Sequence, residues 1–261
     1  MPTFTKFSRT AIAGLAALVL STVSPFAAEI HVMASGGLTA AYKEVLPKFE
    51  AETKHDVESA YGASQGGAPD SIPSRLKRGE PADVVIMASG AMDKLIEAGE
   101  VVPGSRVDLA NSLIGLSVRK GTPKPDISSA EALKKTLLEA KSIAYSASAS
   151  GTYLSEELFP RLGVMDAIKD KAKRIESERV GTVVARGDAE LGFQQVSELL
   201  PIEGLDFVGV LSDDVQKVTV FSAGLVVGSK QPEAAKELID FLASEAAAPA
   251  IEKSGMSPVK N

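Results

Sequence analysis

The stretch YSASASGTY, Tyr145–Tyr153, places six hydroxyls in nine positions between an apolar run and an amphipathic one. SIAYS (142–146) has the composition of a short β-strand, and GTYLSEELFPRLGV (151–164) begins with helical spacing. The hydroxyl-rich segment therefore sits where a strand ends and a helix begins. The same Gly/Ser/Thr-rich junction recurs in ASGGLT (34–39), GASQGG (62–67), MASG (87–90) and ESERVGT (176–182). In open α/β sheets, ligands bind beyond the carboxyl ends of the strands. Helix N-termini there offer unpaired N–H groups and a partial positive charge. The recurring junctions predict one anion held by several helix ends.

Outward from this segment, strands and helices alternate, as in an α/β fold. Strands are expected at 30–34, 56–62, 82–89, 111–121, 142–146, 191–195, 205–210 and 217–229. Helices are expected over 38–53, 90–100, 126–140, 151–164, 179–189 and 232–244, with GG (36–37) turning the chain before the first of them. The 261 residues, 44% hydrophobic and 24% charged, suffice for one large core or two small ones. A formal charge of −6 without a basic run argues against nucleic acid as a partner.

Residues 1–28 carry only Lys6 and Arg9 as charges, followed by the apolar run 11–20 and then small residues. This is the form of a secretory signal peptide cleaved after Ala27 or Ala28, and it predicts a periplasmic protein. The run is too short to cross a bilayer as a helix, so no stable membrane insertion is expected after cleavage. Loss of the leader takes the formal charge from −6 to −8. The chain has no cysteine, which excludes thiolate chemistry, disulfides and Cys-ligated zinc. With His31 and His55 as the only histidines, no metal site is expected.

The motifs around these junctions resemble those of the periplasmic molybdate-binding proteins, type 2 solute-binding subunits of ABC importers. VMASGGLTAA (32–41) lines up with that family's first strand and anion loop. GEPADVVIMAS (79–89) matches its Gly-x-Pro-Ala-Asp strand, and SGTYLSEELFPRLGV (150–164) and VVARGDAELGF (183–193) match in spacing. The resemblance covers essentially the whole mature chain. It implies a two-lobed α/β fold, each lobe a mainly parallel sheet flanked by helices, with the ligand in the cleft between them. Lobe 1 would comprise residues 29–112 and 222–261, and lobe 2 residues 113–221. The crossings are expected near Asn111–Leu116 and Thr219–Leu225.

The pocket departs from that family's pattern. Gly37 stands where those proteins carry Ser, and Gln195 where they carry Tyr. The second junction is longer, and Arg179 is added. These exchanges imply more room and a guanidinium able to grip a carboxylate bidentately, hence a larger organic polycarboxylate. With this pocket the chain is similar, more narrowly, to bacterial enzymes on the same scaffold that interconvert cis- and trans-aconitate without a cofactor.

The expected substrate-binding residues are Ser35, Gly36 and Gly37, then Ser64, Gly66 and Gly67, then Ser148, Ser150, Gly151 and Thr152, with Arg179 and Gln195. Structural roles stay open beside these. Ser150 would cap the helix after it, Asp70 or Ser71 would cap the next one, and Arg179 would pair with Glu176 or Glu178. Asp83 reads as structural, His31 as a core or supporting residue, and His55 as solvent-exposed. Moving the aconitate double bond requires a base within hydrogen-bond reach of a carbon acid. Glu178, Tyr145, Tyr153, Asp70 and His31 are the candidates. Without a base, the same cleft would serve a solute-binding protein that delivers a polycarboxylate or molybdate-like oxyanion to an ABC permease.

Overall fold

The computed structural model describes residues 1 and 27–260, so the expected leader lies almost wholly outside the described residues. The strands are β1 (Glu29–Ser35), β2 (Asp56–Gly62), β3 (Val84–Ala88), β4 (Val107–Ser112), β5 (Ile114–Arg119), β6 (Ile143–Ser146), β7 (Ala172–Ile175), β8 (Leu191–Gln195), β9 (Leu205–Val210), β10 (Thr219–Leu225) and β11 (Ser257–Pro258). The helices are α1 (Gly36–Thr53), α2 (Ile72–Lys77), α3 (Ser89–Glu97), α4 (Ala130–Glu139), α5 (Ala149–Tyr153), α6 (Phe159–Arg161), α7 (Met165–Ile168), α8 (Val180–Arg186), α9 (Val196–Leu199), α10 (Pro232–Leu242) and α11 (Ala248–Lys253). A π-helical turn, Leu154–Leu158, joins α5 to α6.

Two sheets result, in the orders β11-β4-β10-β3-β1-β2 and β7-β6-β8-β5-β9. β1 pairs in parallel with β2 and β3, and β6 with β7 and β8. The remaining strand pairs are antiparallel, so each sheet is mixed rather than mainly parallel. The path of the chain explains this. β4 leaves the first sheet and, past Leu113, becomes β5 of the second, while the segment after β9 returns as β10. A strand that enters a sheet from the cleft runs away from the cleft. β5 and β10 must therefore oppose neighbours whose carboxyl ends point into it. The single strand expected at 111–121 is accordingly two, and β10 pairs within the first sheet from Thr219, ahead of the expected boundary at 222.

The first sheet is covered on both faces, which suits the continuous apolar runs of β1 and β3. Ile30, Val32 and Ala34 pack on one side with Leu38, Tyr42, Val45 and Phe49 of α1, while Met33 meets Val85 and Met87 on the other. The α1 positions follow the helical period, so one stripe of the helix faces the sheet. Full burial of side chains such as Tyr42 and Phe49 contributes roughly 1.5–3 kcal/mol each. Gly36 and Gly37 do not turn the chain ahead of α1; they are its first two residues. In the second sheet, Leu116, Ile143 and Phe193 pack with Leu133, Leu137, Leu158 and Phe159.

His55, expected at the surface, is buried. It lies just before β2, which pairs beside β1, and this brings its ring under the start of the first strand. Nδ1 accepts the Ala28 N–H at 3.0 Å, and Nε2 lies 3.2 Å from Glu237. Asp83 is a structural carboxylate. It accepts the His31 N–H at 2.8 Å, the Ser229 hydroxyl at 2.6 Å and the Lys230 N–H at 3.1 Å, tying β1 to the turn after β10. Burial alone pushes its carboxyl up, but these hydrogen bonds outweigh burial and hold it below the ordinary range. A depressed folded-state pKa contributes stability above the unfolded value, and that stability is lost as pH falls. Asp83→Asn should therefore cost about 1–3 kcal/mol in urea unfolding at pH 7. The difference from wild type should shrink below about pH 4.

Candidate active site

The carboxyl ends of β1, β2, β6, β7 and β8 converge on a cavity of about 280 Å³ between the sheets. Gly36, Thr39 and Lys43 of α1 form one wall, and Ser148, Arg179 and Gln194 stand across from them. Ser148 is the N-cap residue of α5 and Arg179 that of α8, so the cavity lies at helix N-termini, as an anion site requires.

The cavity also holds Glu198, which the sequence reading missed. It lies on α9, the short helix after β8, and only 8% of it is exposed. Its Oε1 accepts from Gln194 Nε2 at 2.8 Å, and Gln194 Oε1 in turn accepts the Val180 N–H at 2.9 Å. The same Oε1 lies 2.0 Å from where a Cβ on Gly36 would stand. A bare helix start is thus what lets the carboxyl approach α1. Burial pushes the Glu198 carboxyl up to about 7, against the opposing pull of the Arg179 charge and the Gln194 hydrogen bond.

Two cations face this space without an ion-pair partner. Among the described residues, no carboxylate lies within 4.0 Å of Lys43 or Arg179. The acids expected to compete for Arg179 are engaged elsewhere. Glu178 is held by Arg186 at 2.8 and 3.1 Å, and Glu176 lies 3.4 Å from Arg174.

Of the expected substrate-binding residues, Gly36, Ser148 and Arg179 line the cavity. The others sit elsewhere. Ser35 is 1% exposed, behind the start of α1, and its hydroxyl has no hydrogen-bond partner. Gly37 opens no room, because a Cβ there would stand 2.1 Å from the Phe221 ring. Ser64 is buried; its N–H donates to Ser148 Oγ at 3.3 Å and its Oγ accepts the Ala88 N–H. Thr152 Oγ1 accepts from Gln65 Nε2 at 2.7 Å. These bonds tie the second junction to the fourth across the sheets. Gly66 takes a positive φ on that loop, and Gly67 has open space around its Cα.

Ser150 does not cap α5: it lies inside the helix with its Oγ 3.0 Å from Ser146 Oγ. Gly151 is packed against the end of β6, where a Cβ would stand 1.6 Å from the Ser146 carbonyl oxygen. Strand alternation turns Gln194 into the cavity and sends Gln195 toward β10, where its Nε2 donates to Thr219. Ser71, not Asp70, caps α2.

Of the expected bases, Tyr145, Tyr153 and His31 do not line the cavity, whereas Glu178 and Asp70 do. The Tyr153 hydroxyl donates to the Val215 carbonyl at 2.9 Å, and Tyr145 packs edge-on to Phe159. His31 is at the far end of β1, about 13 Å along the strand from Ser35. Glu178 stands at the cavity, but hydrogen bonding to Arg186 holds its carboxyl below the ordinary range. Asp70 lines the cavity and accepts the Ser177 hydroxyl at 3.2 Å.

Glu198 was legible only as an acid set between apolar Val196 and Leu199, four residues after Gln194. A carboxyl whose folded-state pKa is raised lowers stability as pH climbs from its unfolded value, near 4.3, to the shifted one. Glu198→Gln should therefore raise Tm by several degrees at pH 8, with the gain shrinking toward pH 4, as read by calorimetry.

Comparison with known proteins agrees with this architecture. The family model described as bacterial extracellular solute-binding protein matches residues 30–257. The chain is 48% identical over 257 residues to an aconitate isomerase from Pseudomonas sp., covering 97% of this chain and 98% of that one. It is 28% identical over 240 residues to the molybdate-binding protein of Azotobacter vinelandii, covering 88% of this chain and 90% of that one. In fold it is similar to the sulfate-binding protein of Mycobacterium tuberculosis, with a TM-score of 0.71 at 21% identity, covering 89% and 88% of the two chains. No helix among the described residues is long and apolar enough to cross a membrane. By sequence, and by a fold with its cleft at the strand ends, the chain belongs to the bacterial extracellular solute-binding protein family.

Proposed function

We propose that this protein interconverts cis- and trans-aconitate in the cleft between its two sheets, with Glu198 moving the proton. The near-full-length similarity to an aconitate isomerase supports the reaction. The observation that carries the reading is the buried Glu198 carboxyl in a cavity that the unpaired cations Arg179 and Lys43 also line. A site that only bound an anion would gain nothing from a carboxyl placed in it, since ionised it repels the ligand. An isomerase needs such a group, and a pKa near the working pH suits it to both taking and returning a proton.

The Glu198 carboxylate takes a proton from the methylene carbon next to one terminal carboxylate of cis-aconitate. The electron pair delocalises through the neighbouring double bond toward the carboxylate at its far end, giving an enolate-like dianionic end. Arg179 and the N–H groups at the start of α8 and α5 stabilise that charge. Glu198 then returns the proton to the other allylic carbon, and the double bond has moved by one position. The rotamer about the carbon–carbon bond that becomes double sets the cis or trans outcome. One proton and one double bond change place without net oxidation, so the chemistry calls for no cofactor. In this reading residues 1–28 direct export to the periplasm. The two sheets are the two lobes, with the whole of β10 assigned to the first.

A trace amount of the protein should convert cis- to trans-aconitate many times over by proton NMR; stoichiometric binding without turnover would sink the proposal. Glu198→Gln should lose about 10²–10⁴-fold in kcat while still binding the substrate. In wild type, kcat/KM should rise with pH through about 7 as Glu198 ionises, and the residual rate of the variant should show no such rise. Gly36→Ala should cost activity without unfolding the protein, because its Cβ claims the place of the Glu198 carboxyl.

A further inference from the structure

We infer that Lys43 selects the substrate by its length, its ammonium holding the carboxylate at the end of a tricarboxylate remote from Glu198. The inference rests on the isomerase reading for the identity of the anion; its geometry stands apart from that reading. Gly36, Thr39 and Lys43 are spaced i, i+3 and i+7, so they share one face of α1, and all three line the cavity. Seven residues at the helical rise span roughly 10 Å. The wall is therefore graded. At one end is bare backbone with the Glu198 carboxyl seated against it. In the middle is Thr39, whose hydroxyl is tied back to the Ser35 carbonyl at 3.0 Å. At the other end is the backbone of Lys43, whose ammonium lies over the Tyr61 ring of β2.

Lys43 is held over the cavity by more than its backbone position. Its Nζ lies 4.4 Å from the centroid of the Tyr61 ring, which reaches in from β2. A cation over an aromatic face is attracted without being neutralised, so the charge stays available to an anion. Other lysines near α1 are spent on acids: Lys48 lies 4.0 Å from Glu52, and Lys253 is 2.9 Å from Glu44. Lys43 and Arg179 line the same cavity, so a ligand with a carboxylate at each end can meet both at once. Lys43 would then hold the terminal carboxylate toward which the allylic charge delocalises. Its attraction grows as that charge develops, so it lowers KM and raises kcat.

Tricarballylate, the saturated tricarboxylate, cannot isomerise and so reports binding alone. Methylsuccinate is the same skeleton without one terminal carboxylate. By titration calorimetry, Lys43→Met should weaken tricarballylate by about tenfold or more, as expected for loss of a charge-assisted contact. The affinity for methylsuccinate should stay within about twofold of wild type, and Lys43→Arg should restore most of the loss. With cis-aconitate the Met variant should raise KM and lower kcat as well. An equal loss for both ligands, or an unchanged affinity for tricarballylate, overturns the inference. Wild type that binds tricarballylate with this discrimination but does not turn over cis-aconitate would instead overturn the isomerase reading and leave Lys43 in place.

Discussion

The Glu198 carboxyl lies against the backbone of Gly36, in the space a side chain there would need. That contact joins α9, which follows a strand of the second sheet, to the first residue of α1, which follows a strand of the first. It leaves Glu198 largely buried, and burial raises the carboxyl's pKa toward neutrality. Gln194 holds the carboxyl from one side while accepting an N–H from the start of α8. A displacement of either sheet relative to the other would open the contact and return Glu198 to water.

Charge is distributed around that carboxyl in a consistent way. The chain is acidic overall, yet Glu176 and Glu178 at the cavity rim are paired with arginines outside it, Asp70 is held by Ser177, and the two cations facing inward have no carboxylate within 4.0 Å among the described residues. Helix N-termini add partial charge without adding a side chain that could neutralise it.

The chain's route produces the cleft. Strands that end at it present small junction residues, and strands that enter from it run antiparallel to those neighbours, so the mixed sheets follow from the two crossings. The loop after β2 then reaches across, with Ser64 bound to Ser148 and Gln65 to Thr152. Ser64, Thr152 and Ser150, expected as ligand contacts, are hydrogen-bonded within the protein instead.

The sequence alone determined the order of strands and helices, the small, polar residues at their junctions, and the resemblance that implied the fold. These are local or collinear properties: apolar periodicity, small residues at strand ends, and motif spacing all lie within short windows. Arg179 and Gly36 were legible for the same reason, since each opens a helix. Strand alternation offered one of Gln194 and Gln195 to the cleft, with Gln195 preferred from its aligned position; Glu198 and Lys43 were not legible. Their importance depends on which residues from distant windows share one cavity. Gly36 and Glu198 are far apart in the chain, and no spacing rule connects them. Tyr145, Tyr153 and His31 show the converse, chemically able groups that packing or strand direction carries away from the site. Only the tertiary structure decided which carboxyl is buried in a cavity that unpaired cations also line, because burial and pairing are properties of neighbours rather than of residue type.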